Sequence, residues 1–169
     1  GGVMRRTAES GLFLAVALIL SYVESLIPFS FGIPGIKLGL PNLIVVLLLY
    51  RGEAGRAVVV NVLRILLSGF LFGNLFAIFY AMAGAVCSFS AMAVGKRAGC
   101  FSIAGVSVLG GVFHNIGQIV VAMAVVETFY VGYYMPFLIL AGTVTGAVLG
   151  IAAMELLPYL QNAVGSEKR

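Results

Sequence analysis

Three groups of polar residues stand in apolar surroundings where each is costly to place. Asn61, Arg64 and Ser68 are spaced three and four apart, which puts them on one face of a helix. His114 and Gln118 are four apart with Asn115 alongside, and the nearby Gly110, Gly111 and Gly117 thin that run. Lys37 and Asn42 lie in Ile33-Pro-Gly-Ile-Lys-Leu-Gly-Leu-Pro-Asn-Leu43, where Pro and Gly interrupt regular structure just before the apolar run Ile44 to Tyr50. Lys and Arg recognise anions, while amides and imidazole donate or accept hydrogen bonds. The set therefore suits capture of a polar or anionic head group.

Each residue also has a structural reading. Arg64 can be neutralised by Glu24 or Glu127, and His114 can serve as a neutral hydrogen bonder between helices. Asn61 and Gln118 can act as interhelical glue, worth about 0.6 kcal/mol per bond. Lys37 can snorkel to an interface. The functional case rests on convergence.

Catalysis finds little support. The chain has six Glu and no Asp, so Asp-rich motifs that hold magnesium and diphosphate are absent. One His cannot build a multi-His metal site, and without Asp it cannot build the usual nucleophile triad. There is no phosphate loop of the Gly-x-x-x-x-Gly-Lys-Ser/Thr type. Cys87 and Cys100 form no ligand-spaced or disulfide pattern. No enzyme, metal or cofactor is expected.

The elements that must position these residues are membrane helices. Of 169 residues 62% are hydrophobic and only 9% charged, against roughly 25% charged in soluble domains. The chain reads as an all-α integral membrane protein, a single transmembrane domain over residues 1–169 with helices at about 8–27, 38–50, 54–69, 72–94, 102–126 and 135–157. The second is too short to cross alone, since a span needs about 20 apolar residues. It is expected to begin inside the membrane, aiming its N-terminal N–H groups at whatever lies beside Pro41 and Asn42. Ser68 to Gly73 reads as a tight link and Pro158 as the stop of helix six. Phe129, Tyr130, Tyr133 and Tyr134 read as an interfacial aromatic belt. On the first helix, Gly11 and Ala15 are four apart, and Ala17 and Ser21 repeat the spacing on another face, a pattern that admits a close neighbour.

Charge sets the orientation. Arg5, Arg6, Arg51, Arg56, Lys96, Arg97, Lys168 and Arg169 fall on one side of a six-segment arrangement, Lys37 alone on the other, and Arg64 within a helix. The positive-inside rule then makes both termini cytoplasmic and turns the Lys37 segment, the Gly69 to Gly73 link and the aromatic loop outward to gate a pocket. The net charge of +4 is accounted for by topology and does not imply nucleic acid.

The stretches Pro34-Gly-Ile-Lys-Leu-Gly-Leu-Pro-Asn-Leu43, Asn61-Val-Leu-Arg-Ile-Leu-Leu-Ser-Gly-Phe-Leu-Phe-Gly73, Gly105-Val-Ser-Val-Leu-Gly-Gly-Val-Phe-His-Asn-Ile-Gly-Gln118 and Gly142-Thr-Val-Thr-Gly146 resemble the Gx transporter family, also labelled heptaprenyl diphosphate synthase component I. That family in turn is similar to the substrate-binding S components of energy-coupling factor (ECF) transporters. The resemblance implies six helices in a bacterial plasma membrane and contact with lipid. It also implies a transmembrane coupling subunit, cytoplasmic ATPases, and uptake of a small vitamin- or cofactor-like molecule. Gly11 and Ala15 would match the small pair that meets the coupling subunit, with Gly in place of the usual first Ala. Candidate ligand contacts are Lys37, Asn42, Asn61, Arg64, His114, Asn115 and Gln118. Two other functions fit the residues: a membrane subunit of a flavin- or quinone-linked electron-transfer assembly, and a non-catalytic membrane protein of isoprenoid synthesis.

Overall fold

The structure, a computed structural model, describes residues 2–27 and 36–165. Among these it contains helices and no strand: α1 (Gly2–Leu26), α2 (Asn42–Tyr50), α3 (Ala54–Phe72), α4 (Leu75–Ala98), α5 (Ile103–Val126), a 3-10 segment (Phe129–Tyr134) and α6 (Met135–Gly165). Five are long and apolar enough to cross a membrane: α1, α3, α4, α5, and α6 with the 3-10 segment before it. This is the architecture of a membrane-embedded helical bundle. Residues 33–35 of the Pro/Gly segment, and Lys168 and Arg169 of the charge count, lie outside the described residues.

Helix α2 is the short one. Its nine residues, Asn-Leu-Ile-Val-Val-Leu-Leu-Leu-Tyr, are apolar on every face, the composition of a helix surrounded by protein. Val46 and Leu48 are fully buried, and α2 packs against α3, α5 and α6. At about 1.5 Å per residue it is roughly 14 Å long, half the ~30 Å hydrocarbon layer. It forms the centre of the larger apolar core, with Phe13 and Ala17 from α1, Val60 from α3, Met92 from α4 and Ala153 from α6.

Several boundaries differ from the sequence reading for identifiable reasons. Helix α2 starts at Asn42, because Gly39 at φ +92° and the turn through Pro41 precede it. Helix α3 runs on through Phe72, so the connection to α4 is only Gly73 and Asn74; Asn74 caps α4 by accepting from the Ala77 N–H at 2.8 Å. Helix α4 therefore begins at Leu75 and runs on to Ala98, where Gly99 in the left-handed region ends it. Ser102 caps α5 by accepting from the Gly105 N–H at 3.1 Å. Pro158 does not stop α6 but lies inside it. A proline costs a helix one N–H bond, and both Met154, whose carbonyl loses that bond, and Pro158 are at exposed positions in the second half of the helix. Helix α1 likewise begins before residue 8, taking in Arg5 and Arg6.

The tightest joint is α5 against α6, where glycines let the backbones touch. A Cβ built on Gly142 would meet the Gly111 carbonyl oxygen at 2.6 Å, and one on Gly146 would meet Val108 Cα at the same distance. The neighbouring Gly110 serves the other side, lying against Met92 and Ser88 of α4. By contrast α1 is the least buried span. Its Phe13, Ala17, Ser21 and Glu24 face inward, while Gly11 and Ala15 lie on the exposed side.

Contacts between polar ends align the helices. Glu9 of α1 pairs with Arg51 at 2.8 Å and Arg56 at 3.0 Å, and Glu53 pairs with the same two arginines. Lys96 Nζ donates to the Leu49 carbonyl at the C-terminal end of α2 at 2.5 Å. The start of α1, the α2–α3 turn and the end of α4 therefore meet at one basic end. Lys37 belongs to the opposite end of α3, its Nζ 5.7 Å from the centre of the Phe72 ring.

Replacing Gly111 with Leu should lower stability in detergent by about 1–3 kcal/mol through overpacking against Gly142, read as a fall in Tm. Gly11→Leu, on the open face, should change it by no more than about 0.5 kcal/mol.

Candidate functional site

The site is built around residues 36–41, a short non-helical strap held within the helical bundle by side chains. Irregular backbone there must find partners within the protein, because lipid offers none. Two side chains supply them. Gln118 of α5 accepts from the Lys37 N–H at 3.1 Å and donates to the Lys37 carbonyl at 2.8 Å, pairing with that residue as a neighbouring strand would. Glu24 of α1 takes the N–H groups of both Gly39 and Leu40 on one carboxylate oxygen.

Gly39 is required in this geometry. Its φ of +92° is costly for any residue with a side chain, and an added Cβ would come within 3.1 Å of the His114 ring and 3.4 Å of Asn42. The turn then closes on itself: Asn42, Leu43 and Ile44 donate their N–H groups to the carbonyls of Gly39, Leu40 and Pro41. This corrects the expectation that the first N–H groups of α2 point at a ligand. They are satisfied within the turn, and the anion beside this helix start is the protein's own Glu24.

Of the sequence-predicted residues, Asn42, Asn61, Arg64, His114, Asn115 and Gln118 are buried and Lys37 is half-buried. Gln118 extends the strap's network by donating to Asn115 Oδ1 at 3.2 Å, and Asn115 donates to the Leu138 carbonyl of α6 at 2.7 Å. Asn42 turns toward α4, donating to Ser88 Oγ at 3.4 Å. Arg64 Nη2 donates to Asn61 Oδ1 at 2.5 Å, so the one-face spacing on α3 becomes a direct contact. Arg64 also lies within electrostatic reach of Glu24, Lys37 and His114. The two polar stripes thus converge on the strap, with α1 supplying the acid.

Three buried polar atoms of this region have no hydrogen-bond partner among the described residues: Ser21 Oγ, Arg64 Nε and His114 Nδ1. Buried polar groups are nearly always paired, and an arginine inserted at a helix centre costs roughly 2.5 to 3.5 kcal/mol. Arg64 is only 5% exposed. This constellation is suited to holding an acceptor or an anion.

Sequence reasoning did not assign Glu24 to the site; it offers Glu24 as a counter-ion for Arg64 or, with His114 and Glu127, as a proton carrier. Its signal is helical phase, since Ala17, Ser21 and Glu24 share a face, and it is the inward one. Gly84, against which the His114 ring lies, and Ser88 carry no such signal, because small residues recur throughout the apolar runs. Gly11 and Ala15 are on the exposed side of α1, apart from this cluster. The aromatic residues Phe129, Tyr130 and Tyr133 are strongly exposed, beside a hollow of about 410 Å³ at the α5–α6 connection.

Residues 13–156 match the family model described as heptaprenyl diphosphate synthase component I. No curated protein and no solved structure matches the chain.

Gln118→Leu should release the strap, at a cost of about 0.5–1.5 kcal/mol for each of its two bonds to Lys37. The expected readout is faster hydrogen–deuterium exchange at the Lys37 and Gly39 amides, with the rates in α5 and α6 unchanged.

Proposed function

The chain belongs to the heptaprenyl diphosphate synthase component I family, and from that premise we propose that it is a substrate-binding membrane component of an uptake transporter, similar to ECF S components, and not itself an enzyme. Its ligand is a small vitamin- or cofactor-like molecule with an anionic or polar head. The observation that carries this reading is Arg64: a buried cation on α3 with an unpartnered Nε, facing a cluster assembled from α1, α5 and the strap. Intramembrane ionisable residues that are not fully paired within the fold mark ligand or ion paths.

The supporting features divide by end. Arg51, Arg56 and Lys96 gather at one end of the bundle, which the positive-inside rule makes cytoplasmic in a cell membrane. Lys37, Phe72 and the strap then face the outer side, from which an importer loads. The exposed face of α1 carries Gly11 and Ala15, where a transmembrane coupling subunit would approach, with ATPases beneath it. The described polar residues are capture groups. Among the described residues no group of three His, Cys or Glu side chains is placed to hold a metal ion.

The family description favours a second reading, a non-catalytic partner of a prenyl diphosphate synthase. Native mass spectrometry of protein taken from its own membrane separates the two. The transporter reading expects a retained small molecule and co-purifying ATPase subunits; a soluble prenyl synthase as the sole companion favours the other.

Arg64→Ala should abolish ligand retention, a loss of at least ~100-fold in affinity, about 2.7 kcal/mol, while the detergent-solubilised protein stays folded by circular dichroism. Unchanged retention would remove Arg64 from the site.

A further inference from the structure

The charge of the cluster specifies the charge of what it binds. Its charged members are Lys37, Arg64 and Glu24, which lie within mutual electrostatic reach. Every other acid among the described residues is accounted for elsewhere. Glu9 and Glu53 are spent on Arg51 and Arg56 at the basic end, and Glu127 and Glu155 are exposed. Glu167 follows α6 in the terminal residues. Residues 28–35, between α1 and the strap, contain no charged side chain. Two basic side chains therefore face one acid, and with all three ionised and His114 neutral the cluster carries a net charge of +1.

The one carboxylate is also occupied. A single Glu24 oxygen holds the Gly39 and Leu40 N–H groups, so Glu24 is tied to the backbone as well as facing two cations. Arg64 Nε has no hydrogen-bond partner among the described residues, and the Lys37 ammonium sits over the Phe72 ring. Phe72 in turn meets Tyr22 edge-on, with ring centres 5.5 Å apart. Arg64, Ser68 and Phe72 are successive members of one α3 face, so the cationic group and the aromatic pair line one track toward the outer end.

We infer that this track binds a small organic monoanion, a carboxylate seated between Arg64 Nε and Lys37 Nζ with an unsaturated or aromatic body against Phe72 and Tyr22. A single negative charge neutralises the cluster. A phosphate monoester or a diphosphate would leave one or more surplus negative charges in a low-dielectric interior, where uncompensated charge is strongly disfavoured. The inference rests on the transporter reading in placing a ligand here, and it adds the ligand's charge. It also separates this site from the diphosphate chemistry in the family description.

A series with one body and different heads tests it: 2-naphthoate, 2-naphthyl phosphate and 2-naphthamide, with farnesyl diphosphate as a polyanionic prenyl control. Binding is read by isothermal titration to the full chain in detergent at pH 8. The expected order places 2-naphthoate at least ~10-fold tighter than the phosphate, the amide and farnesyl diphosphate. Glu24→Gln raises the cluster to +2 and keeps an acceptor for the strap. It should move the preference toward 2-naphthyl phosphate, a change that a purely structural Glu24 would not produce. Arg64→Lys, which conserves charge, should retain the wild-type order, whereas Arg64→Gln should lose it.

Tighter binding of the phosphate or of farnesyl diphosphate to the wild type would overturn the inference, as would an unchanged order in Glu24→Gln. If the amide binds best and Arg64→Ala still abolishes binding, the ligand is neutral: the charge argument fails and the transporter reading stands. If no probe binds and native mass spectrometry finds no retained molecule, both fail.

Discussion

The constraint on which this structure depends is the need to satisfy a non-helical backbone inside a membrane bundle. The strap at residues 36–41 leads into α2, and α2 is the centre of the larger core. Had the strap's N–H and C=O groups gone unpaired, each would have cost free energy on the scale of a lost hydrogen bond. Gln118 answers one residue with two bonds, and Glu24 answers two residues with one oxygen. These two side chains come from α5 and α1, so the strap ties the least buried span to the tightly packed half of the bundle.

That arrangement explains the asymmetry of the molecule. Helices α5 and α6 meet through glycines with backbone in contact, a joint with little freedom to slide. Helix α1 is anchored by Phe13, Ala17 and Ser21 along its middle and by a carboxylate near each end, Glu9 to the arginines and Glu24 to the strap. A ligand held by Arg64 and Lys37, as proposed, would lie beside the second of these anchors. Binding and the seating of α1 would then share one electrostatic neighbourhood, while Gly11 and Ala15 lie on the exposed side of α1.

Much of this was legible in the sequence. Composition gives the membrane class, and the undersized Ile44 to Tyr50 run gives a helix that does not span. Helical phase brings Arg64 to Asn61 and places Gln118 beside Asn115. What escaped the sequence depends on tertiary contact. Nothing local shows that Gln118 pairs with Lys37 across 81 positions or that Glu24 grips Gly39. The helix ends shifted for similar reasons. Ser68 to Gly73 reads as a link until Asn74 is seen capping α4, which leaves Gly73 and Asn74 alone between the helices, and Pro158 reads as a stop but lies inside α6 at an exposed position. Glu24 was legible only as one of two possible counter-ions for Arg64, because charge was the one guide to its partner and backbone N–H groups have no signature in a sequence.

The central claim is that Arg64 is kept in the bundle for a ligand. An experimental structure of the protein isolated in lipid nanodiscs from its native membrane, without added ligand, addresses this most directly. The account predicts density for a small molecule with an acidic group within hydrogen-bond distance of Arg64 Nε and a body beside Phe72. Arg64 Nε bonded instead to a protein group, with side chains filling the space between Glu24, Lys37 and Phe72, would contradict it.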